Sequence, residues 1–481
     1  MTSLADLLFE PAADAIPDAV LVHAGNQQVT RGQLTADARA VRDTLVDAGV
    51  PASAAVAVML GNGPETVATL FGIWAAGAVY VPVNPRLTDP EIARLLGAVP
   101  PGAIVTTPRD VVRFPEYDFI TLDHLDVRIG LPRVAGALGL FESDVALVQT
   151  TSGTTGPPIP VPLRHSQVLG LLDSVLGTVR TAVRRDAPAM RNLIPVSLSL
   201  WAGIYNVCFA FRVDAPVVLM EHFDPRELAR LVAEHGIRSV VLPPAAMAMC
   251  CDDAELESLA PLRYVRSITA PLSPFLARRF HDRFGIAVLN CYGQTELGGE
   301  VVGWSAADWR EFGNTKLGAV GRPHAGVELR VDDAGELWVS TPASRDSPPS
   351  LGERSTPDGW VRTGDHGRVD DEGFLWIEGR ASDMVNRGGL KVFPAEVEEV
   401  IQSNPGVRDV AVVGIADERL GEVPVAAVVG DADPAELDAR CRAHLAPYKV
   451  PARFLFVDAL PRSEVGKILR AEVRRLFLSA D

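Results

Sequence analysis

The stretch Gln149–Pro162, QTTSGTTGPPIPVP, constrains this chain more than any other. Hydroxyl residues and glycines alternate there so densely that neither a helix nor a packed strand can use them. Gly153 and Gly156 free the backbone to turn tightly and expose N–H groups. Thr150, Thr151, Ser152, Thr154 and Thr155 add hydroxyl donors, and the combination suits the oxygens of a polyphosphate. The apolar run Val145–Val148 just upstream has the length of a buried strand, so the loop leaves a strand end, where α/β folds place their ligands. The spacing G-x-x-x-x-G-K-[ST] is absent, which excludes a Walker A loop. An ordinary Ser/Thr/Gly surface loop is the competing reading, and the rest of the chain decides between the two.

At 481 residues the chain exceeds one hydrophobic core, so two or more domains are expected. Its 45 basic and 61 acidic side chains leave a formal charge of -16, which argues against nonspecific binding to nucleic acid or anionic membranes; an anionic substrate needs a local basic site. Cys208, Cys250, Cys251, Cys291 and Cys441 are odd in number and lack C-x-x-C spacing, so neither a disulfide framework nor a zinc site is expected. No basic start followed by an apolar core opens the sequence, and no later stretch has the length and apolarity of a membrane span. The expectation is a cytoplasmic protein, monomer or homodimer, with no membrane partner.

Along the chain, strand and helix patterns alternate. Ala54–Met59, Glu65–Ala76 and Ala78–Val83 read as a βαβ unit; Thr88 caps a helix over Asp89–Gly97, and Ala103–Thr106 reads as a strand. The alternation predicts a mainly parallel sheet with helices on both faces. Farther on, Gln167–Ala182 and Ala245–Cys251 are helical by pattern, while Ser239–Leu242 and Tyr264–Thr269 are strands. A β-rich section over Gly318–Val339 precedes a Ser/Pro-rich connection at Ala343–Pro357. After residue 383, a glycine turn at Gly388-Gly389, a Pro394-initiated helix, and strands over Val407–Val413 and Val423–Val429 predict a separate α+β unit.

Four further motifs carry chemistry. In NCYGQTELGG, Asn290–Gly299, Tyr292 offers a ring to stack on a base, Thr295 a hydroxyl, and Glu296 an oxygen ligand for Mg²⁺. In VRTGDHG, Val361–Gly367, Asp365 can accept hydrogen bonds from both hydroxyls of a ribose. Arg380, in GRASD, is a fixed cation within reach of phosphate or ribose oxygens. Lys467 follows Gly466 in LPRSEVGKILRAEVR, Leu460–Arg474, on a polar turn before a helix. Alone it would read as a solvated surface lysine.

Taken in order, TTSGTTGPP and these four motifs resemble those of the adenylate-forming (ANL) superfamily of acyl-CoA synthetases, adenylation domains and luciferases, closest in layout to the stand-alone acyl-CoA synthetases. The resemblance implies an α/β fold: a large N-terminal domain of doubly wound sheets with a β-rich subdomain over 1–378, a hinge over 379–383 pivoting at Ser382, and a small mobile α+β domain over 384–481. It implies that ATP lies against Thr151, Ser152, Gly153, Thr154, Thr155, Gly156, Ala270, Pro271, Asn290, Cys291, Tyr292, Gly293, Gln294, Thr295, Asp365 and Arg380. Glu296 then holds the metal, Lys467 works with Thr295 and Glu296 in catalysis, and Trp201, Gly203, Tyr205 and Gly298 line the acid pocket. The expected reaction joins a carboxylic acid, aromatic or medium-sized, to AMP with loss of pyrophosphate, and then transfers the acyl group to coenzyme A. No Asp lies between Arg191 and Arg212 to hold a substrate ammonium, which disfavours an α-amino acid. An amine acceptor (an amide synthetase, or a diazotase activating nitrous acid) and a carrier-protein thiol are the alternatives; a non-catalytic nucleotide-binding protein is the reading from another class. In three places the sequence departs from the motifs: Ile159-Pro160 replaces Lys-Gly in the phosphate loop, Ile268-Thr269 replaces a glycine pair beside the adenine wall, and Ser382 replaces the usual hinge Asp or Lys. Arg164 is then the nearest basic residue to compensate for the missing lysine.

Overall fold

The computed structural model describes residues 2–10, 16–122, 125–133, 138–151, 159–180, 190–346, 351–463 and 466–479. Among them the strands group into five sheets. The first has seven strands. Its centre is parallel: Ala103–Thr106, Ala55–Met59, Val79–Pro82 and Val145–Thr151 lie side by side. The middle strands are buried along their whole length, as continuous apolar runs require when helices cover both faces. The helix Pro64–Ala75 between two of them is buried at Pro64 and at every position from Thr66 to Trp74. The helix Arg31–Asp47 packs against it, its start fixed by a capping box between Thr30 and Gln33.

The edges of this sheet differ from the parallel expectation. On one side Val127–Pro132 and Tyr117–Leu122 form an antiparallel hairpin, and on the other Ile159–Arg164 returns antiparallel to Val145–Thr151. Pro160 and Pro162 cannot donate to a ladder, so this segment is confined to an edge strand. The two strands that flank residues 152–158 are therefore antiparallel neighbours.

A second sheet runs Ser239–Leu242, Tyr264–Ser267, Ala287–Gln294, Gly299–Gly303, Arg322–Pro323, parallel in its first three strands and antiparallel after. A four-stranded sheet of Asn192–Ile194, Val217–Leu219, Val20–Ala24 and Gln27–Thr30 is the third. The β-rich section is an antiparallel sheet of Glu328–Val331, Glu336–Ser340, Trp360–Val369 and Leu375–Arg380. Within the Ser/Pro-rich connection, the helix Pro342–Asp346 and the short turn Gly352–Arg354 are formed. The fifth sheet draws only on residues 385–456, with helices Pro394–Gln402, Pro434–His444 and Arg470–Ser479 about it. It has two apolar clusters of its own, one on each face of the long pair Val407–Asp417 and Gly421–Gly430. Among the described residues no helix is long and apolar enough to cross a membrane.

Candidate active site

The motifs converge on one cleft of about 3960 Å³ between the sheets of the first 380 residues and the fifth sheet. A single small ligand needs roughly 300–1,000 Å³, so this cleft has room for a nucleotide and further substrates together. Ala270, Pro271, Asn290, Cys291, Tyr292, Gly293, Gln294, Thr295, Glu296, Asp365, Arg380, Ser382 and Lys467 all line it. Thr151 ends its strand at the loop; Ser152, Gly153, Thr154, Thr155 and Gly156 lie outside the described residues.

Asp365 is anchored before any ligand arrives. It lies on the strand Trp360–Val369 and is buried. The Tyr292 hydroxyl donates to its Oδ2 at 2.6 Å, Gln294 Nε2 donates to the same oxygen at 2.7 Å, and Arg380 Nε stands 3.3 Å from Oδ1. Arg380 faces Asp365 directly across the ladder to the strand Leu375–Arg380. A carboxylate has about four lone-pair sites, so capacity remains for a sugar hydroxyl. Burial, then the Asp365 carboxylate, push the Tyr292 phenol well above its ordinary value, so it stays a neutral donor. Gly293 lets this wall form: any Cβ there would run into the Gly299 carbonyl of the adjacent strand.

The adenine-side turn carries strain. Thr269, at the second position of the expected glycine pair, has φ +70° and a buried hydroxyl that finds no partner among the described residues. A β-branched residue in this region costs about 1–2 kcal/mol.

Glu296 lies on the short turn Thr295–Leu297 and is mostly buried. Its Oε1 faces Arg354 Nη1 at 3.3 Å. No spacing in the sequence marks Arg354, which reaches the cleft because the turn Gly352–Arg354 packs beside the strand Trp360–Val369. Arg164, by contrast, pairs with Glu142 at 2.5 Å and sits opposite Val145, at the far end of the hairpin from Ile159. Five residues of strand amount to about 17 Å, so Arg164 is not the substitute for the missing lysine. A magnesium ion fits the donor set: it is usually held by one or two carboxylates plus substrate phosphates and water, and Glu296 supplies one such carboxylate at the cleft wall.

Lys467 enters from the other side, on the loop before the helix Arg470–Ser479. Loss of water on entering the cleft, then the Arg380 guanidinium, hold its ammonium below the usual lysine value, opposed by Glu296 and Asp365. Arg380, Glu296 and Asp365 therefore all act on the Lys467 ammonium across one space. Gly466, immediately before it, has φ +76°, and a Cβ there would stand 2.9 Å from Ala245 Cβ on the helix Pro244–Asp252. The loop is docked against the large unit.

Near Ser382 the chain changes its attachments. The Ala381 N–H donates to the Gly364 carbonyl at 3.0 Å, whereas the Asp383 carboxylate pairs with Arg470 at 3.4 Å, itself bound to Glu398 at 2.7 Å. Ser382 lies exposed between these two anchorages.

Beyond the nucleotide region, one face of the helix Trp201–Arg212 presents Trp201 and Tyr205 to the cleft. Trp201 Nε1 donates to the Gly298 carbonyl at 2.8 Å, so Gly298 positions the pocket wall through its backbone. Gly203 is buried instead against the Ser197 carbonyl, where no side chain fits.

A model of the AMP-binding enzyme family matches residues 9–344, and one of the AMP-binding enzyme C-terminal domain matches residues 396–467. The chain belongs to the AMP-binding enzymes. It is 31% identical to a feruloyl-CoA synthase of Amycolatopsis sp, over 96% of both chains. It is 30% identical to the long-chain-fatty-acid–CoA ligase FadD13 of Mycobacterium tuberculosis, over 94% of this chain and 93% of that one. Among solved structures, the amide bond synthetase McbA of Marinactinospora thermotolerans superposes with a TM-score of 0.81 at 27% identity, covering 98% of this chain and 99% of its own. As an AMP-binding enzyme of the acyl-CoA synthetase type, the protein is an ATP-dependent, adenylate-forming ligase.

Proposed function

We propose that the enzyme activates a carboxylic acid of aromatic or medium size as its acyl-adenylate and passes the acyl group to coenzyme A. The observation that carries this is the meeting of Lys467, from the C-terminal unit, with Glu296, Asp365 and Arg380 in one cleft. In the first step a carboxylate oxygen of the acid attacks the α-phosphorus of ATP, and pyrophosphate leaves with the electron pair of the broken P–O bond. Asp365 and Arg380 hold the ribose and orient the nucleotide. The Lys467 ammonium neutralises charge that grows on the attacking and α-phosphate oxygens, an interaction strongest in the transition state. Glu296 would hold magnesium, which when bound offsets the negative charge of the phosphates that repels the incoming carboxylate.

In the second step a thiol attacks the acyl carbon, and AMP departs. On this reading the unit after Ser382 rotates between the two steps, withdrawing Lys467 from the reacting oxygens and presenting the Gly388-Gly389 turn to the thiol. The change of attachment between Ala381 and Asp383 supports a pivot at Ser382. Coenzyme A as acceptor is supported by the relatives, a feruloyl-CoA synthase among them. The likeness to an amide bond synthetase favours a second reading, with an amine as acceptor. Pyrophosphate release across a panel of carboxylic acids, with coenzyme A or amines added in turn, tests both. Thioester formation is expected; amide without thioester selects the second reading, and absence of pyrophosphate with every acid overturns both.

A further inference from the structure

The acid pocket lies between an aromatic wall and a charged one. On the first, Trp201, Tyr205 and Phe209 recur every four residues along one face of the helix Trp201–Arg212, with successive ring centroids 5.8 and 6.4 Å apart. On the second, charged or titratable side chains come from the two strands that flank Ala287–Gln294 and from the residue that follows Arg322–Pro323. Arg266 of Tyr264–Ser267 pairs with Glu300 of Gly299–Gly303, and His324, beside Arg322–Pro323, bonds Glu300 Oε1 through Nε2 at 2.8 Å. Arg266 and Glu300 border the cleft, with side chains 23% and 12% exposed, while His324 backs them at 5%. Gly303 makes the space: a Cβ there would overlap Glu300 Oε1 and lie 3.1 Å from Arg266 Nη1.

Such a trio is a poor way to fill a wall. Withdrawing two charges from water costs more than their attraction returns unless every hydrogen-bonding site is used, and apolar residues of the same volume commonly serve stability as well or better. The Tyr205 hydroxyl is buried on the facing helix with no partner among the described residues. Tyr205 and Glu300 line one cleft, and the hydroxyl, closed off while no ligand is present, lacks the partner that a ligand group accepting from it and donating to the carboxylate would supply. Burial raises the Glu300 carboxyl, but Arg266 and His324 outweigh it and leave it below the ordinary value. Glu300 is therefore an acceptor only. Its charge is already balanced by Arg266, so a charged ligand group would be left unpaired in the pocket.

Resting on the adenylation reading above, we propose that the acid carries a second, uncharged hydrogen-bonding group, a hydroxyl or an aromatic amine, at the end away from the reacting carboxylate, recognised by Glu300, Arg266 and Tyr205. A purely structural trio, one that only ties three strands together, would not discriminate between acids. The test measures pyrophosphate release by the full-length enzyme for benzoic and cinnamic acids, unsubstituted or bearing hydroxyl, amino or carboxyl at each ring position. Hydroxy or amino acids in one position are expected to exceed the unsubstituted acid in kcat/KM by on the order of 10²-fold, because a site built around a hydrogen bond rejects the analogue lacking it. The carboxyl-bearing acids fall below both. In Tyr205→Phe and Glu300→Gln, and in the charge-free double variant Arg266→Met/Glu300→Leu in case a single change fails to fold, that preference collapses, mainly through KM. An unsubstituted acid used as well as its hydroxylated partner, or a preference that survives in the folded variants, overturns this inference alone. Pyrophosphate from none of the acids overturns the adenylation reading, and this inference with it.

Discussion

Replacing Gly466 by alanine separates the two half-reactions without touching a reacting group. Two costs arise. Gly466 holds φ +76°, and a side chain in that conformation costs about 1–2 kcal/mol wherever the loop happens to be. The new Cβ also comes within 2.9 Å of Ala245 Cβ, an overlap that exists only while the Lys467 loop is docked, and overpacking of this kind costs roughly 1–3 kcal/mol. Only the second cost biases the arrangement of the C-terminal unit. At about 1.4 kcal/mol per factor of ten, Gly466→Ala should slow pyrophosphate release by roughly 5- to 150-fold through loss of the docked population. Thioester formation from a supplied synthetic adenylate, which does not use the docked loop, should change far less. The second substitution Ala245→Gly removes the atom that is struck and should restore most of the adenylation rate. Equal slowing of both half-reactions, or failure of Ala245→Gly to rescue, would refute the assignment of this docked loop to adenylation.

Lys467→Ala should lower adenylation by about 10² or more, as loss of a preorganised donor does, while transfer from synthetic adenylate persists; parallel assays of the two halves decide it. Because the protonated lysine is the working form and its value is held below 10.5 in the free enzyme, kcat/KM for ATP should fall on the alkaline side with an apparent pKa below 10.5, whereas the limb in kcat moves up as phosphates enter the cleft. Coincident limbs at 10.5 or above speak against that protonation state, and Lys467→Arg should push both limbs out of range. Glu296→Gln should raise the magnesium concentration for half-maximal rate, since an amide holds a hard dication more weakly; a titration that superposes on the parent removes Glu296 from the metal site. Arg354→Ala should raise KM for ATP, and Ile159→Lys in that background should recover part of it by one charge-assisted hydrogen bond of roughly 1.5–3 kcal/mol. No change of KM in Arg354→Ala would leave that arginine a partner of Glu296 alone.

Local signals made the parallel centre of the first sheet legible. Short apolar runs, glycine stops and the Thr88 cap each lie within a few residues of what they punctuate, and the strand Ala103–Thr106 falls where its pattern placed it. The antiparallel edges escaped because pairing direction is a long-range property: in Ile159–Arg164 two prolines demote the alternation of Ile159, Val161 and Leu163 as a strand signal, and the segment becomes a strand by lying along Val145–Thr151. The residues expected to face a nucleotide line one cleft, yet their mutual geometry was not legible. Nothing in the spacing of Tyr292, Gln294 and Asp365 says that the first two donate to the third, since the contact spans 73 and 71 residues and depends on how two different sheets abut.

The basic residues show most clearly where linear proximity fails as a guide. Arg164 is five positions from Ile159 and was the natural substitute for its missing charge, but an extended strand carries neighbours apart at about 3.3 Å per residue, and the Glu142 pair fixes it away from the loop end. Arg354 is 195 positions from Ile159 and enters the cleft because the chain folds back past Glu296. A guanidinium beside the carboxylate proposed to hold magnesium has a consequence the loop lysine would not have. While the cleft holds no nucleotide it keeps the largely buried Glu296 carboxylate paired. Should magnesium and phosphates enter together, Glu296 would be drawn to the cation and Arg354 would be left to pair with the incoming anions. On this account the cation stands beside Glu296 instead of on the loop, and its availability would be coupled to binding of the metal, so the KM for ATP should depend on magnesium more steeply in this enzyme than in Ile159→Lys, which supplies a charge free of that coupling.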